Sequence, residues 1–374
     1  MGLGNVRGSI PPVAAKNTKE MEQNKNLNTV NKQASSPSRN KNLLYEVSVI
    51  RPFVIFLLVI MHSFTMYAGG WKMPEGIHEV TTYYWFVKFI TGFRIETIAL
   101  ISGYVFAYQS LVLHRKYPFR SFAYKKFIRL IIPGLFFSLI YYFCFMYNAS
   151  NFGSIEWFLN LSSGFGHLWF LPMLFWCFLV IWAVDRYNLY SKTLFVILAL
   201  VSIVNVPSLP FGMTRMFHFA FYCYLGYTLY KNKDNLLKYT KAKYICSLWI
   251  VYAILVIFSA RLESFDCIYL IKNAVKLAIA CSGILALLLL VLKFTNKQTN
   301  KYELPQWVIE SSKLCYGVYV FHQFILKYLY YDTNLPQAVG SYLLPWIGVT
   351  ITLLVAIILT KISLKTKFGR FLIR

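Results

Sequence analysis

Acidic residues are scarce in this chain. It carries 14 Asp and Glu against 38 Lys and Arg in 374 residues, and few of the acids fall in apolar stretches. That scarcity argues against a carboxylate metal site and against a relay of buried carboxylates. Charged residues of both signs make up only 14% of the chain, roughly half the share of an ordinary soluble domain. The seven Cys include no CxxC pair. Cys144, Cys177, Cys223, Cys246, Cys281 and Cys315 lie in or beside apolar segments and Cys267 in a loop, so neither a disulfide framework nor a zinc spacing is indicated. A GxSxG elbow, an HExxH pair and a GxxxxGK[ST] loop are all missing, which removes serine hydrolase, zincin and P-loop chemistry. No internal repeat is visible, which weakens a transporter of the inverted-repeat kind.

Apolar residues dominate instead. They form 57% of the chain and come in blocks separated by short basic or polar loops, the pattern of membrane-spanning helices. We predict an all-α polytopic membrane protein of about ten spans: 47–68, 82–112, 130–147, 167–185, 191–206, 214–230, 244–261, 268–292, 308–331 and 341–360. A polar tail over 1–44 should precede this membrane domain of residues 45–374. The tail is too poor in apolar residues to order itself and is no signal peptide. Two Asn-x-Ser sequons, at Asn148 and Asn160, fall in one predicted outer loop.

A net charge of +24 would suggest nucleic acid, but its placement argues otherwise. With the N-terminus inside, 28 of the 38 Lys and Arg fall on one side of the predicted topology, which assigns both termini to the cytoplasm. The charge therefore reads as topology, as attraction to anionic lipid headgroups and as a site for an anionic ligand, with no nucleic-acid partner.

Arg51 and His62 are eleven residues apart in the first span. That is nearly three helical turns, so both fall on one face, about 16 Å apart. Ionisable groups in a membrane helix are costly and tend to line a cavity or meet a partner. A buried imidazole can serve as a general base; the alternative is a structural His bonded to a neighbouring helix. The second span carries Arg94 and Glu96. In a regular helix, residues two apart point to different sides, and the depth of Glu96 allows a pair with Arg51 that would only fix packing. The following basic loop places Lys126 and Arg129 three apart, on one helical face at the cytoplasmic mouth. Paired cations there suit a phosphate-bearing ligand, or simply headgroups. His322 lies about 21 Å into the ninth span, at a depth close to His62. His167 sits at the outer end of the fourth span, two residues before Trp169, and His218 reads as structural.

At these residues the chain resembles the acyltransferase 3 family of integral-membrane O-acyltransferases, in the form without a fused extracellular domain. Arg51 and His62 match an Arg-x10-His motif. Phe93-Arg94-Ile95-Glu96 leading to Ser102-Gly103-Tyr104 is similar to a Phe-Arg-Met-Glu…Ser-Gly-Phe segment. Lys126-x-x-Arg129 ahead of Pro133 is close to Arg-x-x-Arg, and Tyr316-Gly-Val-Tyr-Val-Phe-His322 is similar to a late Tyr-Gly-x-Tyr-x-x-His. His167-Leu-Trp-Phe-Leu resembles a fifth, weaker island. Two features depart from the pattern. Ile98 and Ala99 stand where an aromatic pair is common, and Lys126 replaces an Arg, keeping the charge but losing bidentate geometry.

The resemblance implies transfer of an acyl group, usually acetyl, from cytoplasmic acetyl-CoA to a hydroxyl of a cell-surface polysaccharide or lipid-linked glycan, in a bacterial inner membrane and with no metal. It implies His62 and Glu96 as catalytic residues, and Arg51, Lys126 and Arg129 as the acyl-CoA site. Arg94, His167, Trp169 and His322 would border the acceptor or support the site. His62 would act either as general base or through a transient acyl-His. The principal rival is a glycan exporter or flippase without transfer activity; a structural subunit of a polysaccharide synthase is a third reading.

Overall fold

In a computed structural model the chain divides into residues 1–44 and a helical body from Tyr45 onward. The structure describes residues 1–2, 44–147, 152–263, 265, 269–298 and 304–373. Most of the predicted polar tail, Asn148 and Cys267 lie outside the described residues. Among the described residues there is no strand.

The helices are α1 Tyr45–Phe64, α2 Thr81–Thr91, α3 Arg94–Leu111, α4 Phe119–Lys126, α5 Ile132–Phe145, α6 Ile155–Ser163, α7 Phe170–Arg186 and α8 Lys192–Ile203. They continue as α9 Met213–Lys231, α10 Lys233–Leu237, α11 Ala242–Leu262, α12 Tyr269–Gln298, α13 Gln306–Tyr331, α14 Leu335–Lys365 and α15 Lys367–Ile373. Short 3₁₀ turns, Thr65–Ala68 and Gly166–Trp169, finish α1 and lead into α7. A π-helical turn, Phe127–Ile131, joins α4 to α5.

Seven helical stretches among the described residues are long and apolar enough to cross a membrane: 45–68, 81–111, 119–145, 166–186, 242–262, 269–295 and 335–365. Three segments predicted to span fall short of that test for separate reasons. α8 has only 12 residues. α9 is buried from Phe219 to Tyr227 among α3, α7 and α8, so it needs no lipid-facing surface and carries many Tyr. α13 holds His322, Gln323 and Lys327, which lower its hydropathy.

The second predicted span is not one regular helix. It breaks at Gly92–Phe93, where α11 and α12 press in: a side chain on Gly92 would collide with Ile279 and the Tyr252 hydroxyl. Tyr252 donates to the Phe89 carbonyl beside the break, satisfying backbone that a helix end leaves open. The last span also bends, at Gly340 with φ 71°.

Glycines set the closest helix contacts. A Cβ on Gly103 would fall inside the Cys223 carbonyl, and one on Gly226 inside the Leu100 carbonyl, so α3 and α9 meet backbone to backbone, as small residues allow in membranes. α1 occupies the centre, packed by α3, α12, α13 and α14. At its start, buried Glu46 accepts from Tyr104 at 2.8 Å and from Lys233 at 2.5 Å. Near its end, Ser63 donates to the Pro345 carbonyl at 2.6 Å and lies 2.5 Å from the Tyr330 hydroxyl. Both ends of the helix bearing Arg51 and His62 are thus held.

Replacing Gly103 or Gly226 by Val should separate α3 from α9 and destabilise the bundle by about 3 kcal/mol, the upper range for overpacking. Size-exclusion chromatography and thermal melts of detergent-solubilised variants should give little monodisperse protein and a lowered midpoint. Wild-type behaviour of both variants would refute the backbone contact.

Candidate active site

Three imidazoles meet in the middle of the bundle. His322 of α13 lies between His62 of α1 and His167 of the 3₁₀ turn before α7, with ring centroids 4.9 Å and 4.7 Å away. His322 is fully buried and His167 nearly so, whereas His62 keeps part of its surface accessible.

Backbone carbonyls fix the protons. A carbonyl oxygen only accepts, so a neutral ring facing one carries its proton on that nitrogen. His322 Nδ1 lies 2.6 Å from the Tyr319 carbonyl, leaving Nε2 with a lone pair. That Nε2 is 3.3 Å from Nδ1 of His62, which also lies 3.0 Å from the Leu58 carbonyl. His62 therefore holds its proton on Nδ1, shared between the Leu58 oxygen and His322. Its Nε2 has no hydrogen-bond partner among the described residues, and this is the nitrogen available to a substrate.

His167 is held differently. Gly166, at φ 56°, turns the chain so that the His167 backbone N–H donates to Gln323 Oε1 at 2.9 Å. The ring's Nδ1 lies 2.7 Å from the same oxygen, and its Nε2 is 3.0 Å from the Val320 carbonyl. Tyr319 donates its hydroxyl to the His167 carbonyl at 2.6 Å. Neither ring nitrogen of His167 is open, so it positions α13 rather than acting on substrate. His218, far from this cluster in sequence, lies 2.8 Å from the Ser202 carbonyl, a packing role.

Arg94 lies within electrostatic range of His62, and Arg51 does not pair with Glu96 among the described residues. The helix break at Gly92–Phe93 starts α3 inside the bundle. Arg94, 7% exposed, acts electrostatically on His62, and its Nε has no partner among the described residues. Glu96 sits in the first turn of α3, where unpaired N–H groups and the helix dipole favour a carboxylate. Its charge neighbours are Arg94, Tyr222, Tyr252 and Cys281, and it makes no hydrogen bond to His62. The Arg51–Glu96 pair that the depths allowed is absent among the described residues, because the broken helix re-aims Glu96. Arg51 instead lies within electrostatic range of Cys315 and Arg129.

The cationic group takes shape at the other end of α1. Lys126 closes α4, with its Nζ 3.3 Å from the centre of the Phe178 ring. Arg129 lies in the π turn, exposed and within electrostatic reach of both Lys126 and Arg51. Pro133 explains the turn: having no N–H, it cannot bond the Arg129 carbonyl four residues back and would crowd it. Tyr316 donates its hydroxyl to that carbonyl at 3.3 Å, joining the Lys126–Arg129 segment to the helix of His322.

Trp169 is half-buried, with the Arg215 guanidinium 4.2 Å above its ring. Sequence reasoning missed Gln323, Arg215, Trp71 and Lys327, and met Tyr319 only as a position of the late motif. Gln323, beside His322, was legible only as a polar residue in an apolar span. Trp71, with its ring 5.9 Å from His62, follows a Gly pair in a loop and carried no signal. Among the described residues no His, Cys, Asp and Glu group has the make-up of a metal site. One cavity, of about 220 Å³, is lined by Glu263, Lys272 and Lys276, away from the histidines.

Gln323→Leu should leave the His167 backbone N–H without its acceptor. Each orphaned buried group costs about 1–3 kcal/mol, so the thermal midpoint should fall, while Gln323→Glu, which keeps the oxygen, should lose less. Equal midpoints for Leu and wild type would contradict the clamp.

Residues 44–362 match the family model described as an acyltransferase domain, Acyl_transf_3. No curated protein and no solved structure matches the chain. The match runs from α1 into α14 and includes Arg51, His62, Lys126, Arg129 and His322, and on it the chain belongs to the acyltransferase 3 family of membrane acyltransferases.

Proposed function

We propose that this chain is an O-acetyltransferase that moves the acetyl group of cytoplasmic acetyl-CoA to a hydroxyl of a cell-surface polysaccharide or a lipid-linked glycan precursor. The single observation behind this reading is the unpartnered Nε2 of His62, lying between a cationic group (Arg51, Lys126, Arg129) at one end of the bundle and an aromatic group around Trp71 at the other. In this reading the cationic end faces the cytoplasm of a bacterial cell, both termini lie there, and the chain crosses the inner membrane ten times. The parallel run of α1 and α13 agrees with that topology: Arg51 lies within electrostatic range of Cys315 while His62 meets His322, as two odd-numbered spans would.

The chemistry is proton abstraction and acyl transfer. The CoA phosphates sit on Arg129 and Lys126, and the pantetheine arm runs along α1 past Arg51. The glycan hydroxyl gives its proton to His62 Nε2 as its oxygen attacks the thioester carbonyl. The carbon–sulfur bond then breaks, and the leaving thiolate takes up the proton. His322 and the Leu58 carbonyl accept from Nδ1–H, holding the ring as the positive charge forms. Arg94, within electrostatic range of His62, would stabilise the oxyanion on the carbonyl, and Glu96 balances the charge of Arg94. The same Nε2 suits an acyl-His route, in which it attacks the thioester first.

Two experiments test this. Purified protein in nanodiscs, given radiolabelled acetyl-CoA and surface glycan, should transfer label. His62→Ala should lower the rate by about 10²–10⁴-fold, the usual contribution of a positioned base, with folded yield unchanged. Movement of glycan with acetyl-CoA left intact would identify an exporter, and full activity of His62→Ala would remove His62 from the reaction. Separately, Lys126→Ala and Arg129→Ala should raise KM for acetyl-CoA, and wild-type KM should rise with salt as screening shortens the reach of these charges. Unchanged KM in both variants would return this segment to a purely topological role.

A further inference from the structure

Beyond the histidines, at the end of the bundle opposite Lys126 and Arg129, Lys327 has no counter-ion among the described residues. Lys327 lies five residues past His322 on α13, about 7.5 Å further along the axis. Its Nζ stands 5.9 Å from the centre of the Trp71 ring, 5.2 Å from that of Tyr141 and 5.5 Å from that of Phe145. The described ion pairs are Lys88–Glu263 and Lys233–Glu46, so no carboxylate neutralises it among the described residues. Lys327 is half-buried, and three ring faces at these distances hold a cation only weakly. A partly desolvated ammonium of this kind is completed by an anion.

The platform next to it is built and pinned. The Trp71 ring is 5.9 Å from the ring of His62 and 6.4 Å from that of Tyr331. Tyr331 donates its hydroxyl to the Lys72 carbonyl at 2.6 Å, which ties the loop bearing Trp71 to the end of α13. The same indole ring therefore lies beside both the imidazole of His62 and the unpaired ammonium. An indole face is apolar with a negative quadrupole, and the C–H face of a pyranose ring lies well on it.

We infer that Trp71 and Lys327 form the acceptor subsite and that it takes an acidic sugar: the pyranose ring on Trp71, its carboxylate or phosphate on Lys327 Nζ, and a free hydroxyl turned to His62 Nε2. This rests on the acyltransferase reading for its consequence but not for its binding step. Lys327 selects the substrate by charge, and Trp71 sets the depth at which the hydroxyl meets the imidazole. The anion comes from the glycan; a membrane phospholipid headgroup is the competing source.

The test uses full-length protein in nanodiscs of zwitterionic lipid. Binding is measured without acyl-CoA for oligogalacturonate, a hyaluronan tetrasaccharide, oligosialate and a sugar-phosphate oligomer, each against its carboxyl-reduced or dephosphorylated form. At least one acidic member should bind roughly tenfold tighter than its neutral partner, the worth of one charge-assisted contact. Lys327→Gln should erase that difference without changing the affinity for acetyl-CoA, and Trp71→Ala should weaken the acidic and neutral forms together. Equal affinity for every acidic and neutral pair would overturn the proposal, as would a preference that survives Lys327→Gln. A preference that vanishes when anionic lipid is added would give the site to headgroups and overturn it too. Charge-selective binding without acetyl transfer would sink the acyltransferase reading and leave this subsite standing, whereas transfer to neutral and acidic glycans alike would do the reverse.

Discussion

The contact between His62 and His322 organises this protein. Two neutral imidazoles side by side would ordinarily be free to exchange tautomers and rotate. Here each is set by a carbonyl of its own helix, Leu58 for one and Tyr319 for the other. In a bundle with little water, a backbone oxygen is a fixed acceptor whose lone pairs must be met. The result is directional: protons point toward the helix backbones, and the remaining lone pair points to the open side of His62. The burial of His322, the clamp on His167 by Gln323 and the ties on Ser63 all keep that direction from drifting.

A second constraint comes from interrupted helices. A regular span would have carried Arg94 and Glu96 past the centre on separate faces. Gly92, pressed by Ile279 and Tyr252, stops the helix, so α3 begins within the bundle. A helix that begins there brings positive partial charge into the interior. Glu96 in its first turn meets that charge, and Arg94 is left buried within electrostatic range of the imidazole. The π turn forced by Pro133 does comparable work at the cationic end, since it frees the Arg129 carbonyl for Tyr316 and so links the α4–α5 segment to α13. Departures from regular helix thus occur where separate motifs must be joined.

Much of this was legible in the sequence. The apolar blocks gave the helical class and most segment bounds, and the start of the last predicted span at 341 coincides with the bend at Gly340. The eleven-residue spacing of Arg51 and His62, and the matching depth of His322, anticipated that α1 and α13 share the site. Other features were hidden because they arise from contacts between distant segments. Nothing local told that Glu96 would turn away from Arg51, since the break at Gly92 is imposed by α11 and α12. Gln323 reads as an ordinary member of an apolar helix, and Tyr319 as a motif position without a role, until the loop at Gly166 delivers His167 to them. Trp71 and Lys327 are remote in the chain and become neighbours only through the packing of α1 against α13.

Acyl transfer at His62 requires that its free nitrogen be reachable by substrate, and accessibility measures this without assuming any reaction. In a background with the other cysteines replaced, His62→Cys in oriented proteoliposomes should react with a membrane-impermeant thiosulfonate, and CoA added at the cationic end should slow that reaction. A cysteine at position 62 that stays unmodified from both faces, in protein that otherwise folds and packs normally, would contradict it.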